Sequence, residues 1–346
     1  MKEYNNKEQL CFDDILLVPQ HSDIESRKQV SLHTTIGRAT NAIGMSIPLI
    51  AAPMDTVCEW EMSVALRNAG GLGVIHRYST IEEQTFQLRM NLGHSKHAMY
   101  AIGATGDYIE RSWSLIANGA TALLIDTANG HSKYAIEAVK TIRQLFGKDV
   151  HIMAGNVSTW EGFARLQDAG ANSVRVGIGG GSVCTTRIIS GHGMPTLASI
   201  LDIRSKQSYG SGASIIADGG IRNSGDAAKA LAAGANAVMV GSMLAGTEES
   251  PGSIEINENG KFKTFRGMAS REAQYDGRGT VSVVEGVATK IPYKGKVSDV
   301  IAEFTGGLGS ALSYSGASNL KEFYNNSEYI RVTHSSLGES KPHAVK

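Results

Sequence analysis

The stretch Gly177 to Arg187, GIGGGSVCTTR, combines a glycine-rich loop with a cysteine near its end, and it directly follows an apolar segment, SVRVGI. Glycine lets the backbone adopt positive φ and approach a ligand closely. Cys184 is therefore a candidate nucleophile towards a flat heterocycle, given a lowered thiol pKa or a base at the moment of attack. A buried structural cysteine is the alternative, and the glycines before it and the Thr-Thr-Arg after it favour the functional interpretation.

Thr186 and Glu285 form a second candidate group around this cysteine. A carboxylate carried by a flap could reach over Cys184 and pass a proton through the threonine hydroxyl. A surface position for Glu285 is the alternative.

Apolar segments of strand length recur along the chain, with amphipathic segments between them. Their continuous hydrophobicity is typical of parallel strands covered on both faces. The intervening segments have helical spacing and close on glycine, and the junctions NAGGLG, ANGATA, DAGANS and AAGANA form a weak repeat. The eight predicted strands are 48–54, 71–76, 100–105, 122–127, 151–157, 173–178, 214–220 and 237–243.

Eight such units predict an α/β fold of the (β/α)8 TIM-barrel type, with an open doubly wound sheet as the alternative. The barrel is favoured because polar residues end many different strands, whereas an open sheet would cluster them at one switch point. We expect residues 1–346 to form one catalytic domain, in which 252–295 supply a hairpin with an Asn259-Gly260 turn and a mobile flap without helical periodicity, followed by a C-terminal extension. The strand-end residues are Asp55, His76, Asp126, Asn156, Cys184, Asp218 and Ser242.

The loops after the seventh and eighth strands, ADGGIRNSGD and VGSMLAG, are predicted to bind phosphate. Barrels commonly hold phosphate there with backbone amides. Gly219, Gly220, Gly241 and Ser242 would form the cradle, and Asp218 would accept hydrogen bonds from ribose hydroxyls. Plain turns that require glycine are the alternative.

Asp126 and Asn156 are expected at the barrel mouth, where they would suit a second ribose or a nicotinamide amide; each could instead be a helix N-cap. His76, His131 and His192 lack a spaced partner for a metal site, so solvated loop positions are expected for them.

The composition excludes several classes of protein. The 346 residues are 42% hydrophobic, and 33 Lys and Arg balance 33 Asp and Glu, so no overall field favours nucleic acid or a membrane surface. Three cysteines without CxxC spacing argue against a disulfide framework or a zinc site. With neither a signal peptide nor a membrane-spanning run, a cytoplasmic location is expected.

Ordered motifs from CFDDILLVP almost to the C-terminus resemble the inosine-monophosphate dehydrogenase and guanosine-monophosphate reductase superfamily. They include AAPMDTV, GGLGVIH, MAGNV, GIGGGSVCTTR, ADGGIRNSGD, VGSMLAGTEESPG, FRGM and IPYKG. The resemblance implies a barrel that binds a purine 5′-monophosphate, a covalent adduct between Cys184 and purine C2, and hydride exchange with a nicotinamide.

The resemblance also assigns site residues. Ser182, Gly220, Gly241 and Ser242 would hold phosphate, Asp218 the ribose, and Gly267, Met268 and Glu285 the base. Gly219 and Met54 are further expected substrate-binding residues, and the expected cofactor-binding residues are Arg77, Asp126, Thr127, Ala128 and Asn156. NADPH is the expected cofactor, with NADH possible. Carbonyls of Gly179, Gly181 and Cys184 would hold a potassium ion, and a homotetramer is expected.

Two activities share this scaffold. The dehydrogenase hydrolyses its adduct with an Arg-Tyr pair on a long flap, whereas the flap 269–286 here is short and lacks that dipeptide. The reductase expels ammonia through a threonine and a glutamate, which match Thr186 and Glu285, and no cystathionine-β-synthase-type insert follows the second helix. These features favour GMP reductase. ADGGIR and GTEESPG are closer to the dehydrogenase, which is the second hypothesis, and a non-catalytic nucleotide-binding regulatory barrel is the third.

Overall fold

A closed barrel of eight parallel strands forms the centre of the computed structural model, which describes residues 3–4, 7–37, 41–94 and 97–342. The predicted (β/α)8 architecture is confirmed, since the last barrel strand pairs in parallel with the first. Seven of the predicted segments each contain one of these strands, and the third, 100–105, overlaps its strand, Met99–Ile102, which begins one residue earlier. The barrel strands are β4 (Leu49–Ala51), β5 (Leu72–Ile75), β6 (Met99–Ile102), β7 (Ala122–Asp126), β8 (His151–Val157), β9 (Ser173–Val176), β10 (Ser214–Asp218) and β11 (Ala237–Val240).

Helices connect these strands, and no inserted domain interrupts the short connection from the second helix to β6. Within the described ranges, no helix is both long enough and apolar enough to cross a membrane. The connecting helices are α1 (Trp60–Asn68), α2 (Ile81–His94), α3 (Tyr108–Ala117), α4 (Lys133–Phe146), α5 (Trp160–Asp168), α6 (Thr186–Ile189), α7 (Thr196–Arg204) and α8 (Ser224–Ala232), and α10 (Val297–Tyr314) follows the last barrel strand.

An apolar cluster fills the barrel interior towards its amino-terminal end, and a hairpin closes that end. Strands β2 (Thr34–Ile36) and β3 (Ile43–Met45) pair in antiparallel fashion. Ile36 and Met45 are buried in the same cluster as interior strand residues such as Met99 and Met239. Because this end is filled, a ligand must enter at the opposite end, where the strands end.

The repeat seen in the sequence has a structural counterpart. In DAGANS, Asn172 Oδ1 accepts hydrogen bonds from Ile152 N (2.8 Å) and from Arg143. In AAGANA, Asn236 Oδ1 accepts them from Ile215 N (2.8 Å) and from Arg204. The two asparagines thus perform the same function at junctions two units apart, where each ties a strand to its neighbour.

The segment after the last barrel strand contains more regular structure than the sequence indicated. Asn257 pairs with Gly260, so the hairpin turn is Glu258-Asn259, and the predicted Asn259-Gly260 turn is wrong by one residue. Asn257 Oδ1 accepts a hydrogen bond from Asn259 N, which stabilises the earlier turn. The strands here are β12 (Glu255–Asn257), β13 (Gly260–Arg266) and β14 (Ala288–Pro292), which form one antiparallel sheet.

The predicted absence of a helix in the flap is also wrong. A helix, α9 (Arg271–Arg278), lies between β13 and β14. Ser270 caps its start by accepting from Ala273 N, and Gly279 ends it in the left-handed conformation. The remaining elements are β1 (Ile15–Leu17), which pairs with β15 (Tyr329–Arg331), and the helices α11 (Leu320–Asn326) and α12 (Ser336–Glu339).

Candidate active site

One cavity of about 510 Å³ opens at the carboxyl ends of the barrel strands, and its volume lies in the usual range for small-ligand sites. Every residue predicted for substrate, cofactor, ion or catalysis lies on its wall. The predicted site residues on this wall are Met54, Arg77, Asp126, Thr127, Ala128, Asn156, Gly179, Gly181, Ser182, Cys184, Thr186, Asp218, Gly219, Gly220, Gly241, Ser242, Gly267, Met268 and Glu285.

Cys184, Thr186 and Glu285 form a continuous hydrogen-bonded chain in this cavity. The Cys184 thiol donates to Thr186 Oγ1 at 3.2 Å, and the threonine hydroxyl donates to Glu285 Oε2 at 2.8 Å. The two ends of the chain lie far apart in sequence, yet a single hydroxyl connects them. The arrangement can move a proton between the sulfur and the carboxylate.

Backbone pairing aligns the two segments that carry this chain. Thr185 N donates to Glu285 O at 3.0 Å, and Val287 N donates to Val183 O at 3.0 Å. The cysteine loop and the flap arm are thus joined by a short antiparallel bridge. Glu285 therefore lies over the cysteine loop because the backbone holds it there.

Close packing of the cysteine loop against the loop after β10 explains two of the glycines. Gly177 has φ +142°, and a Cβ on it would lie 1.9 Å from Asp218 O. A Cβ on Gly219 would lie 3.1 Å from Gly181 N. Only glycine fits at both positions, so the two predicted ligand-binding loops share one wall.

The predicted phosphate cradle combines two free amides with a helix start. Within the described chain, the backbone amides of Gly220 and Ser242 donate to no protein acceptor. Helix α8 begins nearby, with Asn223 as its N-cap. Unpaired amides and a helix amino end together favour an anion.

A buried chain of alternating charges joins the predicted cofactor and ribose groups. Arg77 Nε lies 3.4 Å from Asp126 Oδ2, and Arg175 contacts both Asp126 Oδ1 (2.6 Å) and Asp218 Oδ2 (2.8 Å). Asn156 Nδ2 also donates to Asp218 Oδ2, at 2.7 Å. Asp218 Oδ1 has no protein donor among the described residues, so it remains available to a ligand hydroxyl.

Charge pairing controls the ionisation of this group. Burial alone would raise the pKa of Asp126, but the Arg175 and Arg77 guanidinium groups outweigh it and hold that pKa below the ordinary value. Burial likewise opposes charge on Arg175, and Asp218 and Asp126 overcome it and raise the Arg175 pKa. Asp126 and Arg175 are therefore both charged at neutral pH.

Arg175 is the main residue that sequence reasoning missed. It lies in SVRVGI, which was interpreted only as an apolar strand. Its register partner on β10 is Ile216, an interior residue of the barrel, so Arg175 also faces inward. An arginine alternating with apolar residues in an otherwise buried strand was the available signal.

Two alternatives for polar strand-end residues are also resolved. The N-caps of α4 and α5 are Ser132 and Thr159, so Asp126 and Asn156 do not cap these helices. His76 is 5% exposed, which makes its predicted solvated position wrong. Its Nδ1 accepts from Tyr78 N, and its Nε2 therefore donates to Glu59.

The remaining predictions concern two loop histidines, Asp55 and the metal sites. His131 and His192 are exposed, as expected. Asp55, in the loop after β4, is paired with Arg266 (2.6 Å), which also contacts Asp276 in the flap helix. The described ranges contain no group of three His, Cys, Asp or Glu side chains suited to a metal ion. The predicted potassium site uses backbone carbonyls and stays a prediction.

The chain matches the sequence model of the IMP dehydrogenase / GMP reductase domain over residues 9–343. Inosine-5′-monophosphate dehydrogenase of Nitrosopumilus maritimus (strain SCM1) is 34% identical, over 98% of this chain and 99% of that protein. The same-named protein of Borreliella burgdorferi (strain ATCC 35210 / DSM 4680 / CIP 102532 / B31) is 36% identical, over 98% of both chains.

A solved structure gives the corresponding comparison in three dimensions. A cysteine-to-alanine variant of GMP reductase from Trypanosoma brucei, in complex with guanosine 5′-monophosphate, superposes with a TM-score of 0.90. It is 28% identical, and the match covers 99% of both chains. Sequence and structure agree along nearly the whole length, and the chain belongs to the IMP dehydrogenase / GMP reductase family of oxidoreductases.

Proposed function

We propose that this protein is a GMP reductase, which converts GMP to IMP and ammonia with a reduced nicotinamide cofactor. The observation that carries the proposal is the Cys184–Thr186–Glu285 chain, with its distances of 3.2 and 2.8 Å. It connects a nucleophile to a carboxylate that can return the proton to a leaving amine. No adjacent Arg-Tyr pair lies in the flap.

The substrate class follows from the wall of the cavity. The free amides of Gly220 and Ser242 suit a dianionic phosphate, and the open oxygen of Asp218 suits a ribose hydroxyl. The Trypanosoma brucei reductase, with the same fold, was crystallised with GMP. A purine 5′-monophosphate bound in this way would bring its base towards Gly267, Met268 and Cys184.

In the first step, the sulfur of Cys184 attacks C2 of the purine, the C2–N3 π electrons move onto N3, and the thiol proton passes through Thr186 to Glu285; the C2–N3 double bond forms again when the amine leaves. Glu285 then protonates the 2-amino group through the same hydroxyl. The C2–N bond breaks, and ammonia leaves a purine that is covalently bound to sulfur. A nicotinamide held beside Arg77, Asp126 and Thr127 would, when bound, supply a hydride to C2. For release of IMP, Cys184 leaves C2 as the thiolate and takes up a proton.

The residues around the cofactor end fit a nicotinamide. Arg77, Asp126 and Thr127 place polar groups on the cavity wall beside the cysteine loop, as a carboxamide and a ribose require. NADPH is the cofactor proposed here, with NADH as the alternative. We also propose one catalytic domain over 1–346, a potassium ion on the carbonyls of the cysteine loop, and a cytoplasmic homotetramer.

IMP dehydrogenase is the second candidate because of a specific observation: the curated relatives described above carry that name. The alignment with one spans 476 positions and that with the other 403, so dehydrogenases of different lengths match this chain. The absence of an insert therefore does not separate the activities. The dehydrogenase would need a residue other than an Arg-Tyr pair to activate water.

Ammonia release tests the proposal, because only the reductase forms ammonia. Purified protein is incubated with GMP and NADPH, and ammonium and IMP are quantified. Equal amounts of ammonium, IMP and oxidised cofactor are expected, and Cys184→Ala is expected to form none. If the wild-type protein oxidises IMP and forms no ammonium from GMP, the dehydrogenase assignment replaces the reductase assignment. If a Cys184→Ala protein kept every measured effect, the regulatory barrel would be supported.

A further inference from the structure

Gln274 is a buried polar side chain on a helix whose other described side chains, apart from that of Ala273, are exposed. It lies in α9 and is only 3% exposed, while the next residue, Tyr275, is 65% exposed. Its side chain turns towards the flap arm that ends in Glu285, and it lines the active-site cavity. A buried polar side chain needs hydrogen-bond partners in the protein that replace the water it loses on burial.

All of the hydrogen-bonding capacity of this amide is used within the flap. Nε2 donates to Ala269 O at 3.0 Å and to Val283 O at 2.9 Å. Oε1 accepts from Ser282 N and from Ser282 Oγ, both at 2.9 Å. A side-chain amide has two donor hydrogens and two acceptor positions, so none is left over.

These bonds lead directly to the proton-transfer chain. Ala269 O, which accepts from Gln274, also accepts from Glu285 N at 3.1 Å. Glu285 is therefore held from two sides. The cysteine loop binds its carbonyl through Thr185 N, and the start of the flap helix binds its amide. Gln274 connects that helix to Ser282 and Val283, just before Glu285.

We propose that Gln274 is a positioning residue that holds the Glu285 carboxylate within reach of Thr186. Without it, the arm 279–284 has no other side-chain tie to α9 in the described part of the chain, and Glu285 would leave the geometry that proton transfer requires. A shift of about 1 Å in a reacting group can lower a rate on the order of a hundredfold. The inference rests on the proposed function only in using Glu285 as the proton carrier.

Gln274→Met tests the role of the hydrogen bonds, because methionine has a similar length and cannot make them. We expect kcat to fall on the order of tenfold or more, while KM for the mononucleotide changes much less, since the phosphate and ribose groups are untouched. Gln207→Met is the matched control: Gln207 is also buried, but it lies outside the cavity wall. It should leave kcat unchanged.

Gln274→Glu provides a readout that packing alone would not change. Its carboxylate would keep the acceptor for Ser282 but face the carbonyls of Ala269 and Val283 without a hydrogen. Protonation restores one donor, so activity relative to wild type should rise as the pH is lowered. A constant ratio of the two activities across the pH range would contradict the proposal.

Amide hydrogen exchange supplies a readout that is independent of turnover. Gln274→Met should increase exchange at Ser282 and Glu285, and Gln207→Met should not. If Gln274→Met fails to fold, Ser282→Ala removes the hydroxyl's hydrogen bond and should give a smaller loss in kcat. The assays are run in whichever direction the wild type turns over, so oxidation of IMP would refute the proposed function and leave this test intact. Wild-type kcat and unchanged exchange in Gln274→Met would overturn the positioning role.

Discussion

Thr186 accepts a hydrogen bond from the thiol and donates one to the carboxylate, so its single hydroxyl gives the proton path a direction. It is also the first residue of α6, and its neighbour Thr185 donates a backbone hydrogen bond to the flap. The proposed nucleophile, Cys184, and the proposed proton carrier, Glu285, are thus positioned by backbone on both sides. Catalysis then depends on few freely rotating bonds, which is how preorganised sites reduce their entropic cost.

Glu285→Gln separates proton transfer from binding. The amide oxygen can still accept from Thr186, so the geometry is retained, but an amide cannot take up the proton. We expect kcat to fall about 10²- to 10⁴-fold, the usual contribution of general acid–base catalysis. Binding of GMP, measured by calorimetry, should be nearly unchanged. Turnover near the wild-type rate would show that another group carries the proton.

Arg175→Met tests the buried charge chain through its pH dependence. The variant leaves Asp126 and Asp218 without their shared cation, which at neutral pH should cost about 3–5 kcal/mol of unfolding free energy. In the wild type the Asp126 pKa is lowered, so that group adds stability above the unfolded value of about 3.9, and this is lost as the pH falls through the folded pKa.

In the variant the pKa of Asp126 should rise, because the Arg175 guanidinium beside it is gone. The difference in stability between the two proteins should therefore be largest near neutral pH and shrink as the pH falls towards about 4. Urea unfolding across this range measures it. A difference independent of pH would mean that packing, rather than charge, explains the role of Arg175.

At the scale of elements, the asparagine junctions give a matched pair of substitutions. Asn172→Ala and Asn236→Ala each remove a side-chain acceptor from a strand amide and an arginine. Each should lower the unfolding free energy by about 1–3 kcal/mol, the cost of an unsatisfied buried donor, and by similar amounts. The exposed Asn325→Ala is the control for chemical denaturation. Strongly unequal losses would contradict the equivalence of the two junctions.

The barrel could be predicted because its signal is repeated. Eight buried strands, most of them preceded by an amphipathic segment and a glycine, favour a single architecture. The flap lacks such redundancy, and α9 was missed because its exposed sequence, REAQYDGR, has almost no apolar periodicity. Ser270 at its start and Gly279 at its end are the sequence features that indicate this helix.

The site was predicted to the extent that it depends on strand ends and family motifs. Cys184, Thr186 and Glu285 meet as expected, because loops after parallel strands converge at one end of a barrel. Arg175 and Gln274 were not predicted, since their roles depend on partners that only the fold brings together. The position of Arg175 in an apolar strand indicates that a charge is buried there. The sequence does not show which residues pair with it, because they lie on other strands.

At the scale of the whole molecule, the closed end of the barrel depends on a neutral histidine. His151, at the start of β8, is 1% exposed and contacts Asn41 O (2.9 Å) and Ser173 Oγ (2.8 Å). Burial lowers the pKa of His151 from 6.5 to about 4. The neutral ring thus links β8 and β9 to the segment between β2 and β3.

This lowered pKa predicts a specific acid sensitivity. Unfolding lets the histidine bind a proton that the folded protein resists, so its contribution is fully present above the unfolded pKa of 6.5 and is lost as the pH falls to about 4. The loss should approach about 3 kcal/mol. His151→Gln should be less stable at neutral pH but lose less stability on acidification. His131→Gln, at an exposed site, should behave as the wild type, and equal acid profiles for all three would contradict the prediction.

Across the molecule, the cavity joins three regions that the chain supplies separately. The barrel provides the charged groups of Asp126, Arg175 and Asp218, the cysteine loop provides the nucleophile, and the flap provides Glu285. A reductase and a dehydrogenase could share the first two regions. Under the proposed function, the flap is the region that would distinguish the two activities, and its shortness here supports release of ammonia over activation of water.

The direction of the cofactor change tests this conclusion most directly. Purified protein in potassium buffer is given GMP with NADPH, and separately IMP with NAD⁺, while the absorbance of the reduced nicotinamide is followed. The account predicts loss of reduced cofactor with GMP and no gain with IMP. Gain of reduced cofactor with IMP alone would contradict it and would mean that this short flap activates water.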